Sequence, residues 1–119
     1  MSTGRDMIVA ERLRQIGGEG YTHGHDDIHP EGTLEQAGWC YLYMTHAVEA
    51  PPDVMYLFWP WHPRRWKPHP DRIRNMVKAG ALFLAEAERY ERAGKLDQAE
   101  RLKAMAGNVA AEIDTPFHL

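Results

Sequence analysis

Six of the eight prolines fall between positions 51 and 70, and they constrain the fold more than any other feature of the 119-residue chain. Proline has no amide hydrogen to donate, and its ring clashes with the preceding turn of a helix. It also drives the residue before it into extended backbone. Pro51 and Pro52 must therefore end a helix, and Pro60, Pro63, Pro68 and Pro70 forbid a regular one across the segment. A twenty-residue connector of this kind is unusual in so small a chain and tends to carry function. Trp59, Trp61 and Trp66, three of the four tryptophans, lie within it. Solvated indoles would be costly, so the connector is expected to pack rather than wave.

On either side of this connector the apolar residues recur with helical spacing. A first helix is expected over about Asp6 to Ile16, with Ile8, Val9, Leu13 and Ile16 near one face, stopped by Gly17 and Gly18. Glu19 to Gly32 has no helical period and is rich in Gly, His and Asp, which makes it a second connector. Thr33 and Gln36 have the spacing of a capping box. They open a helix whose stripe is Ala37, Cys40, Tyr41, Met44 and Val48. Asp71 is placed to cap a third helix, about Arg72 to Ala93, with Ile73, Met76, Val77, Gly80, Ala81, Leu84 and Ala85 inward and Gly94 closing it. A fourth spans about Leu96 to Ile113, with Leu96, Ala99, Leu102, Met105 and Val109 inward. Only part of Val54 to Trp59 offers a short strand. The expected fold is all-α: a single helical domain over residues 1–119, a compact bundle of about four helices with irregular connectors at Glu19–Gly32 and Pro51–Pro70.

Composition narrows the function classes. A 44% hydrophobic and 26% charged chain is ordinary globular material. The formal charge of −3 argues against a general nucleic-acid binder. The single cysteine, Cys40, permits no internal disulfide and reads as a small buried hydrophobe. No run of 18 apolar residues exists, and residues 1–10 lack the apolar core of a signal peptide, so no membrane partner and a cytoplasmic location are expected. No cofactor motif is present.

Two segments carry chemistry. The first is Tyr21 to His29, where His23, His25 and His29 accompany Asp26 and Asp27. Imidazole and carboxylate suit metal binding or acid–base work. They equally suit hydrogen bonding to the loop's own backbone, and the spacing matches no standard zinc motif. The second runs from Phe58 into Lys78. Six of the fourteen basic residues, Arg64, Arg65, Lys67, Arg72, Arg74 and Lys78, fall there, opposed only by Asp71. Such a focus of positive charge in an acidic protein suits an anion. Arg72 and Arg74 sit in the first turn of the third helix, where the backbone amides also attract anions. The indoles serve either as faces for stacking a base or as the core beneath the connector. Glu86, Glu88 and Glu91 read as a solvated face pairing with Arg89 and Arg92.

Glu11-Arg12-Leu13-Arg14-Gln15-Ile16, Glu19-Gly20-Tyr21-Thr22, His25-Asp26-Asp27 and His29 are similar to the ERxRQIxxEGW and HDDxH elements of a family of small phage and prophage proteins. Trp59-Pro60-Trp61, Trp66-Lys67-Pro68 and Val77 through Arg89 resemble that family's WPW, WKP and VKAGALxLAExER elements. The resemblance spans about Ala10 to Arg92, with Tyr21 in place of the usual tryptophan. It implies a phage origin, and small accessory phage proteins often counter host defences by sequestering or cleaving nucleotide signals. Glu88 and Glu91 have the first spacing of the MazG-type pyrophosphohydrolases, but the ExxD that should follow is missing. His25-Asp26 alone does not make an HD-type phosphohydrolase.

The expected function is non-enzymatic. The protein would form a homo-oligomer that sequesters a nucleotide-like small molecule such as a cyclic dinucleotide or an ADP-ribose derivative. Arg64, Arg65, Arg74 and Lys78, with Lys67 beside them, would hold phosphates. Trp61 or Trp66 and Tyr21 would stack a base, and His23, His25, Asp26 and Asp27 would bond ribose or base edges. One alternative is a metal-dependent phosphodiesterase using His23, His25, Asp26 and His29 as ligands. The other is a protein–protein inhibitor anchored by the Trp/Arg segment.

Overall fold

The computed structural model describes residues 3–18, 29–46 and 57–115, and four α-helices hold most of them. These are α1 (Gly4–Gly18), α2 (Thr33–His46), α3 (Arg72–Arg92) and α4 (Leu96–Asp114), with a 3-10 turn at Pro63–Arg65. No strand occurs among the described residues. Leu57 and Phe58, in the stretch offered as a strand, have helical backbone instead.

The third helix is the centre of the bundle, touched by each of the other three. Its burial runs almost all the way round, which no single stripe predicts. Ala79, Leu82, Phe83 and Ala87 are buried as fully as Met76 and Val77, whereas Ile73 and Leu84 are only half-buried. Both ends are specified locally. Asp71 caps the start, its Oδ1 accepting from the Ile73 amide at 2.9 Å. Gly94, at φ +76°, closes the end. There the Lys95 amide donates back to Tyr90 O at 2.8 Å and the Gly94 amide to Glu91 O at 3.0 Å. This is the Schellman arrangement, and it wants a residue with no Cβ penalty in left-handed backbone.

The neighbouring helices come close because small residues face them. A Cβ on Gly80 would collide with the Ile8 side chain of α1, and one on Gly38 of α2 would meet the Phe83 ring. Against α4, the buried Ala99, Leu102, Ala106, Val109 and Ala110 complete the core. Leu96, expected inward, is instead 63% exposed at the first position of α4.

The first helix departs most from its apolar pattern. Val9 and Leu13 face solvent, Leu13 at 64% exposure. Ile8 is buried, and beside it so are Glu11, Arg12 and Gln15. Arg12 stays inside because Glu88 of α3 meets it, with Nε and Nη2 both donating to Glu88 Oε2 at 3.1 and 2.8 Å. Glu88 thus bridges two helices instead of lying on a solvated face.

Glu86 corrects the sequence reading more sharply, being wholly buried. Its Oε1 accepts from the Glu35 amide at 3.3 Å, so its carboxylate covers the start of α2 from the neighbouring helix. The capping box expected from Thr33 and Gln36 is not built. The Gln36 amide nitrogen donates instead to the Phe58 carbonyl, tying α2 to the proline connector.

Candidate functional site

Residues 57–70 of the proline connector fold back over α2 and α3 as an aromatic block. Trp59 is buried, edge-on to Tyr41 of α2 at 5.6 Å and to Trp61 at 5.3 Å. Trp66 packs on both Tyr41 and Trp59, with ring centroids 4.7 and 4.8 Å away. Polar contacts fix the chain between these rings. The Trp59 indole donates to His62 O at 3.1 Å, and His62 Nδ1 accepts from the Arg64 amide at 3.1 Å, opening the 3-10 turn. Further along, the buried Asn75 of α3 grips the His69 backbone twice. Its Oδ1 accepts from His69 N at 2.7 Å and its Nδ2 donates to His69 O at 2.8 Å.

This packing leaves a cavity of about 410 Å3 between the connector and α1. Volumes of this order are usual for small-molecule sites. Trp59, Trp61, Arg64, Arg65 and Lys67 line it from the connector, Tyr41 from α2, and Lys78 and Leu82 from α3. Glu11, Arg14 and Gln15 supply the α1 wall. Five cationic side chains thus surround one carboxylate. That carboxylate, Glu11, is held by Arg14, whose Nε and Nη2 donate to its two oxygens at 2.9 and 2.6 Å. Lys78 donates to the Lys67 carbonyl at 2.8 Å and stands 5.4 Å from the Tyr41 ring centre, a cation–π distance. Arg64 and Arg65 are exposed on the 3-10 turn, and neither has an ion pair among the described residues.

Of the residues nominated from sequence, Trp61, Arg64, Arg65, Lys67 and Lys78 meet in this one cleft. Trp66 lies behind it in the aromatic block and Arg74 is exposed on α3, so neither lines it. At the helix start near Arg72 and Arg74, the Asp71 side chain accepts from the Ile73 amide, and Arg72 pairs with Glu112 of α4 at 3.5 Å. Tyr21, His23, His25, Asp26 and Asp27 lie outside the described residues. His29, the last of that histidine cluster, is described, and its ring sits 5.2 Å from that of Trp61. The end of the first connector therefore meets the second beside the cleft. Among the described residues no three His, Cys, Asp or Glu side chains gather as a metal set.

Sequence reasoning missed six of the lining residues: Glu11, Arg14, Gln15, Tyr41, Trp59 and Leu82. A signal for two of them existed: positions 8, 11, 12 and 15 make a regular helical face. It went unread because three of its four members are polar, and polar side chains are ordinarily assigned to solvent.

Elsewhere, Cys40 is buried on α2, and burial pushes its thiol up to about 11, so it is held as an unreactive thiol. No helix among the described residues is long and apolar enough to cross a membrane. Comparison with protein-family models, with curated proteins and with solved structures gave no match.

Proposed function

We propose that the cleft binds a phosphate-bearing, nucleotide-derived small molecule and holds it without chemical change. The observation that carries this reading is the composition of one cavity: Arg64, Arg65, Lys67, Lys78 and Arg14 around aromatic walls formed by Trp61, Trp59 and Tyr41. Guanidinium groups match phosphate oxygens in geometry and charge, and indole faces accept a base without sequence-like readout. Arg64 and Arg65 are the natural first contacts, since they are exposed and carry no ion pair among the described residues. The resemblance to small phage proteins extends the proposal. It makes the ligand a host immune signal such as a cyclic dinucleotide or an ADP-ribose derivative, and the protein a sponge for it.

Self-association belongs to the same proposal. Trp39, Tyr43, Leu57 and Phe58 are all exposed, and Trp39, Tyr43 and Phe58 line a second, largely apolar groove. Apolar surface of this kind commonly marks an interface. Light scattering on the purified protein tests it.

The main test is to mix the protein with a nucleotide panel, wash it, release what it holds by heat and identify that by mass spectrometry. Intact nucleotide, recovered equally with and without EDTA, is the expected result. Arg64→Ala and Arg65→Ala should each weaken binding by at least about tenfold, because each removes a charged hydrogen-bond donor. Their melting temperatures should not change, since both side chains are exposed. Recovery of a cleaved, EDTA-sensitive product would replace sequestration by catalysis.

A further inference from the structure

Gln15 lies one helical turn beyond Glu11 on α1 and lines the same cleft, yet only 3% of it is exposed. Its amide nitrogen donates to Glu11 Oε2 at 3.3 Å. Its carbonyl oxygen, Oε1, is buried and accepts no hydrogen bond. A buried carbonyl without a donor is rare and costs stability, so it calls for an explanation. Turning the amide over offers no remedy. The oxygen would then face the Glu11 carboxylate, acceptor against acceptor, and the nitrogen would lose its only partner. Glu11 therefore holds Gln15 in the orientation that leaves Oε1 waiting.

The two walls of the cleft are complementary in kind. The connector side, with Arg64, Arg65 and Lys67, offers donors and positive charge. On the α1 side the Glu11 oxygens are already engaged by Arg14. Beside that ion pair, Gln15 Oε1 is a buried acceptor with no donor. A bare anion satisfies the cationic groups and leaves Gln15 Oε1 without a donor.

We infer that Gln15 Oε1 accepts a hydrogen bond from the bound molecule, so the cleft selects phosphorylated ligands that also carry a neutral N–H or O–H donor at some distance from the phosphate. This deepens the reading of the cleft as a phosphate site and rests on it. A nucleotide supplies such a donor from its base, as an exocyclic amine or a ring N–H, or from a ribose hydroxyl. Sulfate supplies neither.

Calorimetry on the wild type and on Gln15→Met separates these cases. Methionine keeps the length and bulk of the side chain and removes the acceptor. The probes are AMP, IMP, ribose 5-phosphate and sulfate. Wild type should favour a donor-bearing phosphate over sulfate, and Gln15→Met should lose about tenfold of that preference while binding sulfate as before. A loss confined to AMP, with IMP unaffected, assigns the donor to the base amine. An equal loss for ribose 5-phosphate assigns it to the sugar. If Gln15→Met binds AMP and ribose 5-phosphate as the wild type does, while Arg64→Ala loses both, the phosphate reading stands and the inference about Gln15 is overturned. If the wild type binds none of the four probes, the phosphate reading falls and takes the inference with it. Should Gln15→Met fold poorly, the wild type still decides. The Gln15 side-chain amide resonances should move on addition of AMP and stay fixed on addition of sulfate, and unmoved resonances at saturating AMP overturn the inference.

Discussion

Replacing Glu86 by glutamine should leave the protein at least as stable at neutral pH as the wild type, and the advantage should disappear in acid. Glu86 is wholly buried between α3 and the start of α2. Burial raises its pKa above the ordinary 4.5. The Glu35 amide, the Arg89 guanidinium and the Gly32 amide oppose that rise, and the nearby Glu35 charge reinforces it. The sign follows from linkage. A carboxyl whose folded pKa is raised holds its proton where the unfolded chain has released it. Its contribution is complete below about pH 4.5 and is lost as pH climbs through the folded value. Each tenfold weakening of the acid corresponds to about 1.4 kcal/mol of cost for holding it ionised. Glutamine keeps an oxygen for the Glu35 amide at 3.3 Å and gives up the charge that Arg89 meets at 3.5 Å. Urea unfolding of both proteins between pH 4 and pH 8 should show Glu86→Gln gaining on the wild type as pH rises, by on the order of 1 kcal/mol. The reasoning is refuted if Glu86→Gln is the less stable protein at pH 7 and matches the wild type at pH 4. Arg89 and the α2 amides would then outweigh the cost of burial.

Three further outcomes follow from the packing. Gly80→Ala sets a methyl against Ile8 and should cost about 1–3 kcal/mol, seen as a lower denaturation midpoint. Asn75→Ala removes both bonds to the His69 backbone and should cost about 2 kcal/mol. It should also weaken ligand binding, because Lys67 lies on the connector that Asn75 anchors; unchanged stability would show the connector to be held from elsewhere. Cys40, with its thiol raised to about 11, should resist iodoacetamide at pH 8 in the folded protein and react promptly in urea.

The helical segments were legible because their signals are local. Asp71 and Gly94 stand where a cap and a left-handed stop belong, and both perform those tasks. The prolines of residues 51–70 excluded a long helix, and the clustered arginines and indoles beside them marked the half of the cleft that lies on the connector. The other half was hidden in α1. Its buried face sets Glu11, Arg12 and Gln15 beside Ile8, and hydrophobic periodicity, right about Ile8, also favoured Val9 and Leu13, both of which face solvent. Glu86 was misread for the same reason, since a glutamate in a helix is ordinarily a surface residue.

The helices, the caps at Asp71 and Gly94 and the break imposed by the prolines were thus settled within the chain's own neighbourhoods, and they specify an all-α bundle. Which polar groups go inside was settled only by assembly. Arg12 is buried because Glu88, 76 positions away, meets it there, and Glu86 because the start of α2 needs an acceptor. A charge can leave water only where a partner waits, and partners that distant in sequence become neighbours only once the helices have packed.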